Sequence, residues 1–138
     1  MAIHSDLKTV GEITATNTAR FTSDANAISI ALTLLSTHKS GAPVVDKNGK
    51  LIGFVSEFDL LKAIESGKDL GSLKAQDIMN KDLQAVSEST SIEDAVKRME
   101  KMHLINLPVV DSEGNYTQTI SGHDLLRVAL GADLGIET

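Results

Sequence analysis

The chain has 138 residues, of which 41% are hydrophobic and 23% charged, a size that fits one compact domain or two very small ones. Nineteen acidic residues outnumber thirteen scattered basic residues, for a formal net charge of −6, so we expect no nucleic-acid partner. The absence of cysteine excludes disulfides, thiolate nucleophiles and iron–sulfur centres. No apolar stretch approaches the roughly 18 residues that cross a bilayer, so we expect a cytoplasmic protein with no direct membrane insertion.

The sequence contains an internal repeat with a spacing of 65 residues. The phrase Pro-Val-Val-Asp occurs at residues 43–46 and again at 108–111, and an Asp-Leu-Leu triplet at 59–61 recurs at 124–126. Such self-similarity indicates duplicated structural units. We predict an N-terminal extension at 1–9, a first unit at 10–66, a linker at 67–74, a second unit at 75–131 and a C-terminal tail at 132–138.

Each unit is predicted to begin with a short opening strand, at 19–22 in the first unit and at 84–87 in the second. An amphipathic helix follows, which in the second unit starts after Ser91 and carries apolar residues at intervals of three and four. The Pro-Val-Val-Asp phrase then forms a strand, and a glycine-containing turn returns the chain as a hairpin strand at 51–55 and at 116–120. A second helix closes each unit, so the fold class is α+β, with two units packed through their sheets.

No catalytic constellation is visible in the sequence. The four histidines do not have the spacing of a metal-binding or catalytic motif, and neither a phosphate-binding loop nor a nucleophile elbow occurs. His38 and His103 fall near the C-terminal ends of predicted helices, where the helix dipole stabilises a cation. Met99 and Met102 are predicted to pack in the core. We therefore predict no catalytic residues, no metal site and no enzyme.

The pattern Ser-x-x-Asp occurs where each closing helix begins, at residues 56–59 and 121–124. One interpretation is a capping box, in which serine and aspartate satisfy free N–H groups of the helix. The other is a binding site, because a strand-to-helix junction directs N–H groups and a positive dipole end at a phosphate, and an aspartate one turn on can accept from ribose hydroxyls. The two interpretations are compatible.

In their order, the duplicated motifs resemble a tandem pair of CBS (cystathionine β-synthase) domains, the arrangement called a Bateman module. The resemblance rests on Ile78 and Met79 before the opening strand, the doubled Pro-Val-Val-Asp with its following glycine, residues 53–59, and the doubled Asp-Leu-Leu. It implies two β-α-β-β-α units related by pseudo-two-fold symmetry. It also implies two clefts that bind adenosine nucleotides in many members, and regulation of an unidentified protein target rather than catalysis.

In that family each cleft draws on both units. Residues 14–19 resemble the Thr-x-x-Asn-x-Ala segment that meets adenine in the AMP-sensing subunit of AMP-activated protein kinase, although they are also compatible with an ordinary loop. Asp124 is expected to accept both ribose hydroxyls, whereas His123 either faces the phosphate or is simply exposed. Gln118 stands where the family usually has glycine and is expected to narrow the cleft. The residues that the resemblance assigns to this favoured cleft are Thr14, Asn17, Ala19, Lys39, Ser40, Ser121, His123 and Asp124.

The second cleft is expected to be weaker, because Glu57 and Phe58 occupy positions where a basic residue would hold phosphate. Its assigned residues are Ser56, Asp59, Met79, Leu104 and Asn106. Neither cleft shows a cluster of Arg and Lys, so AMP is the favoured ligand, ahead of ADP and ATP.

Two other functions stay open. One is a structural dimerisation or scaffold module with vestigial clefts, which Gln118 and the missing basic cluster favour. The other is a sensor of S-adenosylmethionine or of a metal ion. In every case we expect a homodimer, because the predicted helices carry more apolar side chains than two small sheets can cover. These side chains include Leu60, Leu61, Ile64, Leu125, Leu126 and Val128.

Overall fold

The structure is a computed structural model that describes residues 8–14 and 16–134. Most of the predicted N-terminal extension, and the end of the predicted C-terminal tail, lie outside these residues. The described residues form two compact units. The first-repeat unit is Ala19–Leu83, and the second-repeat unit combines the residues from Gln84 onward with those up to Thr18.

The first-repeat unit is built on a three-stranded sheet with strand order β1-β2-β3. Strand β1 runs parallel to β2, and β2 pairs antiparallel with β3 in a hairpin. The elements in chain order are β1 (Phe21–Thr22), α1 (Ala27–Thr37), β2 (Gly41–Val45), β3 (Leu51–Ser56), α2 (Glu57–Glu65), a 3₁₀ turn (Leu70–Ser72) and α3 (Ala75–Ile78).

The second-repeat unit repeats this plan with strand order β4-β5-β6, one parallel and one antiparallel pairing. Its elements are a 3₁₀ turn (Val10–Glu12), β4 (Val86–Ser87), α4 (Ile92–Met102), β5 (Asn106–Val110), β6 (Tyr116–Ser121) and α5 (Gly122–Leu134). The predicted α+β class and the order of elements within each repeat are confirmed. The opening strands β1 and β4 have two residues each, shorter than expected from the sequence.

Both long helices that follow the opening strands are capped at each end. The side chain of Asn26 accepts a hydrogen bond from the N–H of Ile28 at the start of α1, and that of Ser91 accepts from Asp94 at the start of α4. Both helices end at a histidine with a left-handed backbone, φ 55° at His38 and 54° at His103. The left-handed conformation turns the chain out of the helix and into the following strand.

Each unit has its own apolar core, and each core is completed by the leading segment of the other repeat. Val10 and Ile13, which come before the first repeat's strands, are buried against α4, β5, β6 and α5 of the second. Ala75 and Ile78, which come before the second repeat's strands, pack against the core of the first. Met99 is buried as predicted, but Met102 is 44% exposed, because it lies in the last turn of α4 on the outer side.

Among the described residues, no helix combines the length and the apolar character needed to cross a membrane.

Candidate functional site

The two Ser-x-x-Asp patterns form matching strand-to-helix junctions. At the β6–α5 junction, the N–H and hydroxyl of Ser121 donate to Oδ2 of Asp124 at 2.8 and 3.1 Å, and the N–H of Asp124 donates to the Ser121 hydroxyl at 3.2 Å. At the β3–α2 junction, Ser56 and Asp59 form the same three bonds at 2.8, 3.0 and 3.2 Å. The capping-box interpretation is therefore confirmed at both junctions.

The junctions differ at the other carboxylate oxygen. Oδ1 of Asp124 accepts from the hydroxyl of Thr16 at 3.1 Å and from Arg127 at 3.3 Å, and the residue is only 5% exposed. Asp59 is half-buried, and within the described part of the chain no donor is bonded to its Oδ1. Equivalent aspartates thus offer a ligand different numbers of open acceptor positions.

The leading segment of the first repeat, which comes before β1, is fixed along the edge of the second-repeat sheet. The carbonyl oxygen of Asn17 accepts from the N–H of Thr119 at 2.9 Å and from the hydroxyl of Tyr116 at 3.4 Å. The structure therefore brings residues 14–17, apart from position 15, which lies outside the described residues, to the same unit as Ser121 and Asp124. The side chain of Thr14 is exposed there.

Gln118 also holds this segment. Its side chain is 5% exposed, and its Nε2 donates to the carbonyl oxygen of Ile13 at 3.2 Å. The equivalent residue of the first repeat is Gly53, where a Cβ atom would lie 2.8 Å from Cγ of Met79. A glycine there admits the Met79 side chain, whereas the glutamine replaces such a contact with a hydrogen bond to the backbone. The departure from the family pattern at Gln118 thus anchors the segment that carries Thr14 and Asn17.

The remaining residues assigned to the favoured cleft are exposed or belong to the other unit. His123, the second residue of α5, is exposed. Ala19, Lys39 and Ser40 lie in the first-repeat unit. The carbonyl oxygen of Ser40 accepts from the N–H of Glu57 at 2.8 Å, so the turn between α1 and β2 adjoins the β3–α2 junction of its own unit.

Of the residues assigned to the second cleft, Ser56, Asp59 and Met79 share the first-repeat unit, whereas Leu104 and Asn106 lie in the second-repeat unit. Residues Phe54 and Asn80 exchange backbone hydrogen bonds of 3.0 and 2.8 Å, which fix the segment containing Met79 beside β3.

A groove of about 510 Å³ opens beside Asp59, and it contains two lysines that were not predicted from the sequence. Lys62 and Lys68 line it together with the acidic residues Glu65 and Asp77. Lys62 lies one turn after Asp59, and its Nζ is 5.7 Å from the centre of the Phe58 ring. The spacing of three between Asp59 and Lys62 was the available signal, since residues three apart lie on one face of a helix.

The fold and its two junctions define a class of protein, and comparison with known families identifies it. The family model of the CBS domain matches residues 10–66 and 75–131. The chain therefore belongs to the CBS domain family and carries two copies of the domain.

Solved structures with this fold include CBS-pair proteins. A structure of CBSX2 in complex with AMP is 27% identical, has a TM-score of 0.78, and the match covers 91% of this chain and 98% of that one. A structure of CBSX2 from Arabidopsis thaliana is 25% identical with a TM-score of 0.78, covering 94% and 98%.

Curated relatives are of two kinds. The uncharacterized protein MJ1426 of Methanocaldococcus jannaschii is 29% identical, over 66% of this chain and 73% of that protein. An inosine-5'-monophosphate dehydrogenase of Bifidobacterium longum is 34% identical over 65% of this chain, which spans only 16% of that enzyme. The domain thus occurs both in proteins of similar size and as a small part of a larger enzyme.

Proposed function

We propose that this protein is a regulatory CBS pair that binds an adenosine nucleotide, preferably AMP, and signals to a separate protein partner rather than catalysing a reaction. The observation that carries the proposal is the buried carboxylate of Asp124 at the start of α5. This carboxylate accepts a hydrogen bond from the hydroxyl of Thr16, which lies outside its own helix. A ribose hydroxyl is the same kind of donor. A cytoplasmic location, expected from the sequence, stays a prediction.

The proposed site extends from this carboxylate in both directions. The hydroxyl of Ser121 and the first N–H groups of α5 would receive the phosphate, and the segment with Thr14 and Asn17 would meet the base. Ala19, Lys39 and Ser40, which the resemblance assigns to the base, lie in the first-repeat unit, and their part in binding stays a prediction. CBSX2 is 27% identical to this chain and was solved in complex with AMP, and this likeness supports AMP as the ligand.

The charges near Asp124 favour a single phosphate. Arg127 is already paired with Asp124, which leaves His123 as the proposed group that faces a phosphate. A protonated histidine would add one positive charge, whereas the further phosphates of ADP and ATP would meet none. At the β3–α2 junction, the positive charges of Lys62 and Lys68 are offset by Glu65 and Asp77 in the same groove, so this second site is proposed to be the weaker one.

A scaffold is the second candidate function, and exposed apolar side chains favour it. Leu32, Leu35, Phe58 and Leu61 are between 59 and 67% exposed on α1 and α2. Side chains of this kind are common where two protein surfaces meet. A homodimer is compatible with both candidate functions.

Calorimetric titration with AMP, ADP, ATP and S-adenosylmethionine tests the proposal. We expect AMP to bind at least as tightly as ATP in the absence of added metal, because one phosphate can be served by the serine and the helix start. A ligand at about 100 times its Kd should also stabilise the fold by roughly 2.7 kcal/mol in a thermal melt. A clear preference for ATP would refute the proposed site. No detectable binding of any of the four ligands would favour the scaffold.

A further inference from the structure

The hydroxyl of Thr16 occupies the oxygen of Asp124 that a ribose would use. We propose that Thr16 is a built-in competitor of the ligand, a side-chain gate that a nucleotide must displace before Asp124 can hold its ribose. This inference rests on the proposed nucleotide function and names the residue that controls access to that site.

The carboxylate of Asp124 has every acceptor position in use. A carboxylate accepts about four hydrogen bonds. Oδ2 already takes the N–H and hydroxyl of Ser121, and Oδ1 takes Thr16 at 3.1 Å and Arg127 at 3.3 Å. A ribose hydroxyl must therefore replace one of these donors. Ser121 is part of the capping box and Arg127 is an ion-pair partner, so the neutral, exposed Thr16 is the donor that leaves at least cost.

The equivalent aspartate of the first repeat, Asp59, shows no such gate among the described residues. Asp59 makes the same bonds to Ser56 through Oδ2, but no donor among the described residues is bonded to its Oδ1. The gate is therefore not a requirement of the capping box. Within residues 8–14 and 16–134, it is an addition found in the second repeat alone, made by a residue that lies 108 positions earlier in the chain.

The gate can open without moving the backbone. The carbonyl oxygens on either side of Thr16 are held: that of Asn17 by the N–H of Thr119, and that of Ile13 by Gln118. A rotation about χ1 of Thr16 is then sufficient to move its hydroxyl from Asp124 into water, because threonine has staggered rotamers and this residue is exposed. Only a ligand with its own hydroxyl can replace the hydrogen bond that Asp124 loses when the Thr16 hydroxyl moves away. The gate therefore selects for a ribose.

The experiment is a calorimetric titration of the full chain with AMP, in wild type and in Thr16→Val, Thr16→Ala and Thr16→Ser. The valine and alanine variants remove the hydroxyl, and we expect AMP to bind about three- to tenfold more tightly, the equivalent of one lost competing hydrogen bond. The serine variant keeps the hydroxyl and should bind as wild type does. With 2',3'-dideoxy-AMP, which has no ribose hydroxyl to place on Asp124, the gain should vanish. Thermal melts establish that each variant is folded.

A double-mutant cycle assigns the effect to the carboxylate. In an Asp124→Ala background, Thr16→Val should leave the affinity for AMP unchanged, because the carboxylate for which Thr16 and the ribose compete is absent. If wild type binds AMP and loses it with Asp124→Ala, but Thr16→Val and Thr16→Ala bind AMP no more tightly, the gate is refuted and the proposed function stands. If the gain persists in the Asp124→Ala background, the gate is also refuted. If no variant binds AMP, the proposed function and the gate fall together.

Discussion

Asp59 and Asp124 show how far two copies of one motif can diverge through their surroundings. Each aspartate caps its own helix with bonds that agree to within 0.1 Å, as the pairs 3.0 and 3.1 Å show. Beyond the cap, Asp124 is buried under Thr16 and paired with Arg127, while Asp59 faces a groove with two lysines. The local motif is therefore structural in both copies, and its neighbours decide what else it can do.

Replacing each aspartate by alanine separates the two junctions. We expect Asp124→Ala to lower the affinity for AMP by roughly ten- to a hundredfold, because a ribose hydroxyl left unpaired in a closed site costs about 1 to 3 kcal/mol. Asp59→Ala should lower it much less, since Glu57 adds a negative charge beside that junction. Calorimetry measures both.

Both substitutions also remove the carboxylate half of a capping box, which accepts from the serine N–H and hydroxyl, so each variant is expected to lose some folding stability without any ligand. Melting temperatures without ligand are therefore the control. The reverse ranking, with AMP binding lost in Asp59→Ala and kept in Asp124→Ala, would move the nucleotide to the β3–α2 junction.

The residues of the site were only partly predictable from the sequence. The capping role of Ser56 and Ser121 follows from a local pattern, because the partner is three residues away. The bond between Thr16 and Asp124 joins positions 108 residues apart, and no local pattern signals it. The role of Gln118 was equally hidden, since a hydrogen bond to the Ile13 carbonyl depends on which segment packs beside the strand.

At the level of elements, the hairpin turns show a second use of aspartate. Oδ1 of Asp111 accepts the N–H groups of Glu113 and Asn115, both at 2.9 Å, at the turn between β5 and β6. These N–H groups, first that of Asn115, hold the pKa of the Asp111 carboxyl below its ordinary value of 3.8. Gly114 completes the turn with φ 85°, a conformation that residues with a side chain rarely adopt.

The lowered pKa of Asp111 predicts a pH dependence of stability. A carboxyl whose pKa is lower in the folded chain stabilises the fold above its unfolded value, near 3.8, and this contribution is lost as the pH falls through the folded pKa. We therefore expect Asp111→Asn to melt below wild type at pH 7, and the difference to shrink as the pH falls below about 4.

Melting curves from pH 7 to pH 3 measure this difference. Glu113→Gln is the matched control, because it removes a negative charge from the same turn and leaves the bonds to Asp111 in place. A gap between wild type and Asp111→Asn that stays constant down to pH 3 would contradict the prediction.

The helices and hairpins were predictable because caps, periodicity and turns are local. The short helical turns between the two repeats were not. The glycine-containing stretch predicted as a linker includes the 3₁₀ turn at Leu70–Ser72, and α3 follows at Ala75–Ile78. Helices this short are not stable by themselves, and here Ala75 is fully buried in the core of the first-repeat unit. Packing, rather than local preference, fixes them.

At the scale of the whole molecule, we predict a homodimer. Several apolar residues that the sequence assigned to an uncovered helix face are indeed at the surface, since Leu61 is 59% exposed and Leu126 is 57% exposed. Others assigned to these helix faces, Leu60 and Leu125, are buried in the cores of their own units instead. The apolar surface that each helix offers a partner is therefore narrower than the sequence suggested.

Light scattering at micromolar concentration should give a mass near twice the 14.7 kDa of one chain. The double substitution Leu61→Glu with Leu126→Glu should shift this mass to that of a single chain, because charges in an apolar contact are costly to desolvate. Gln76→Glu, which adds a charge at another exposed position, should leave the mass unchanged. A wild-type mass of one chain would refute the homodimer.

The exchange of leading segments determines how many repeats are needed to complete the apolar cores. Val10 and Ile13 complete the second repeat, and Ala75 and Ile78 complete the first. This is a reciprocal swap within one chain, of the kind that otherwise links separate molecules. A single repeat would lack the segment that completes its core, and its own leading segment would have no core to pack against. Two repeats in tandem complete both cores and bury both leading segments. The smallest unit with complete apolar cores is therefore the pair.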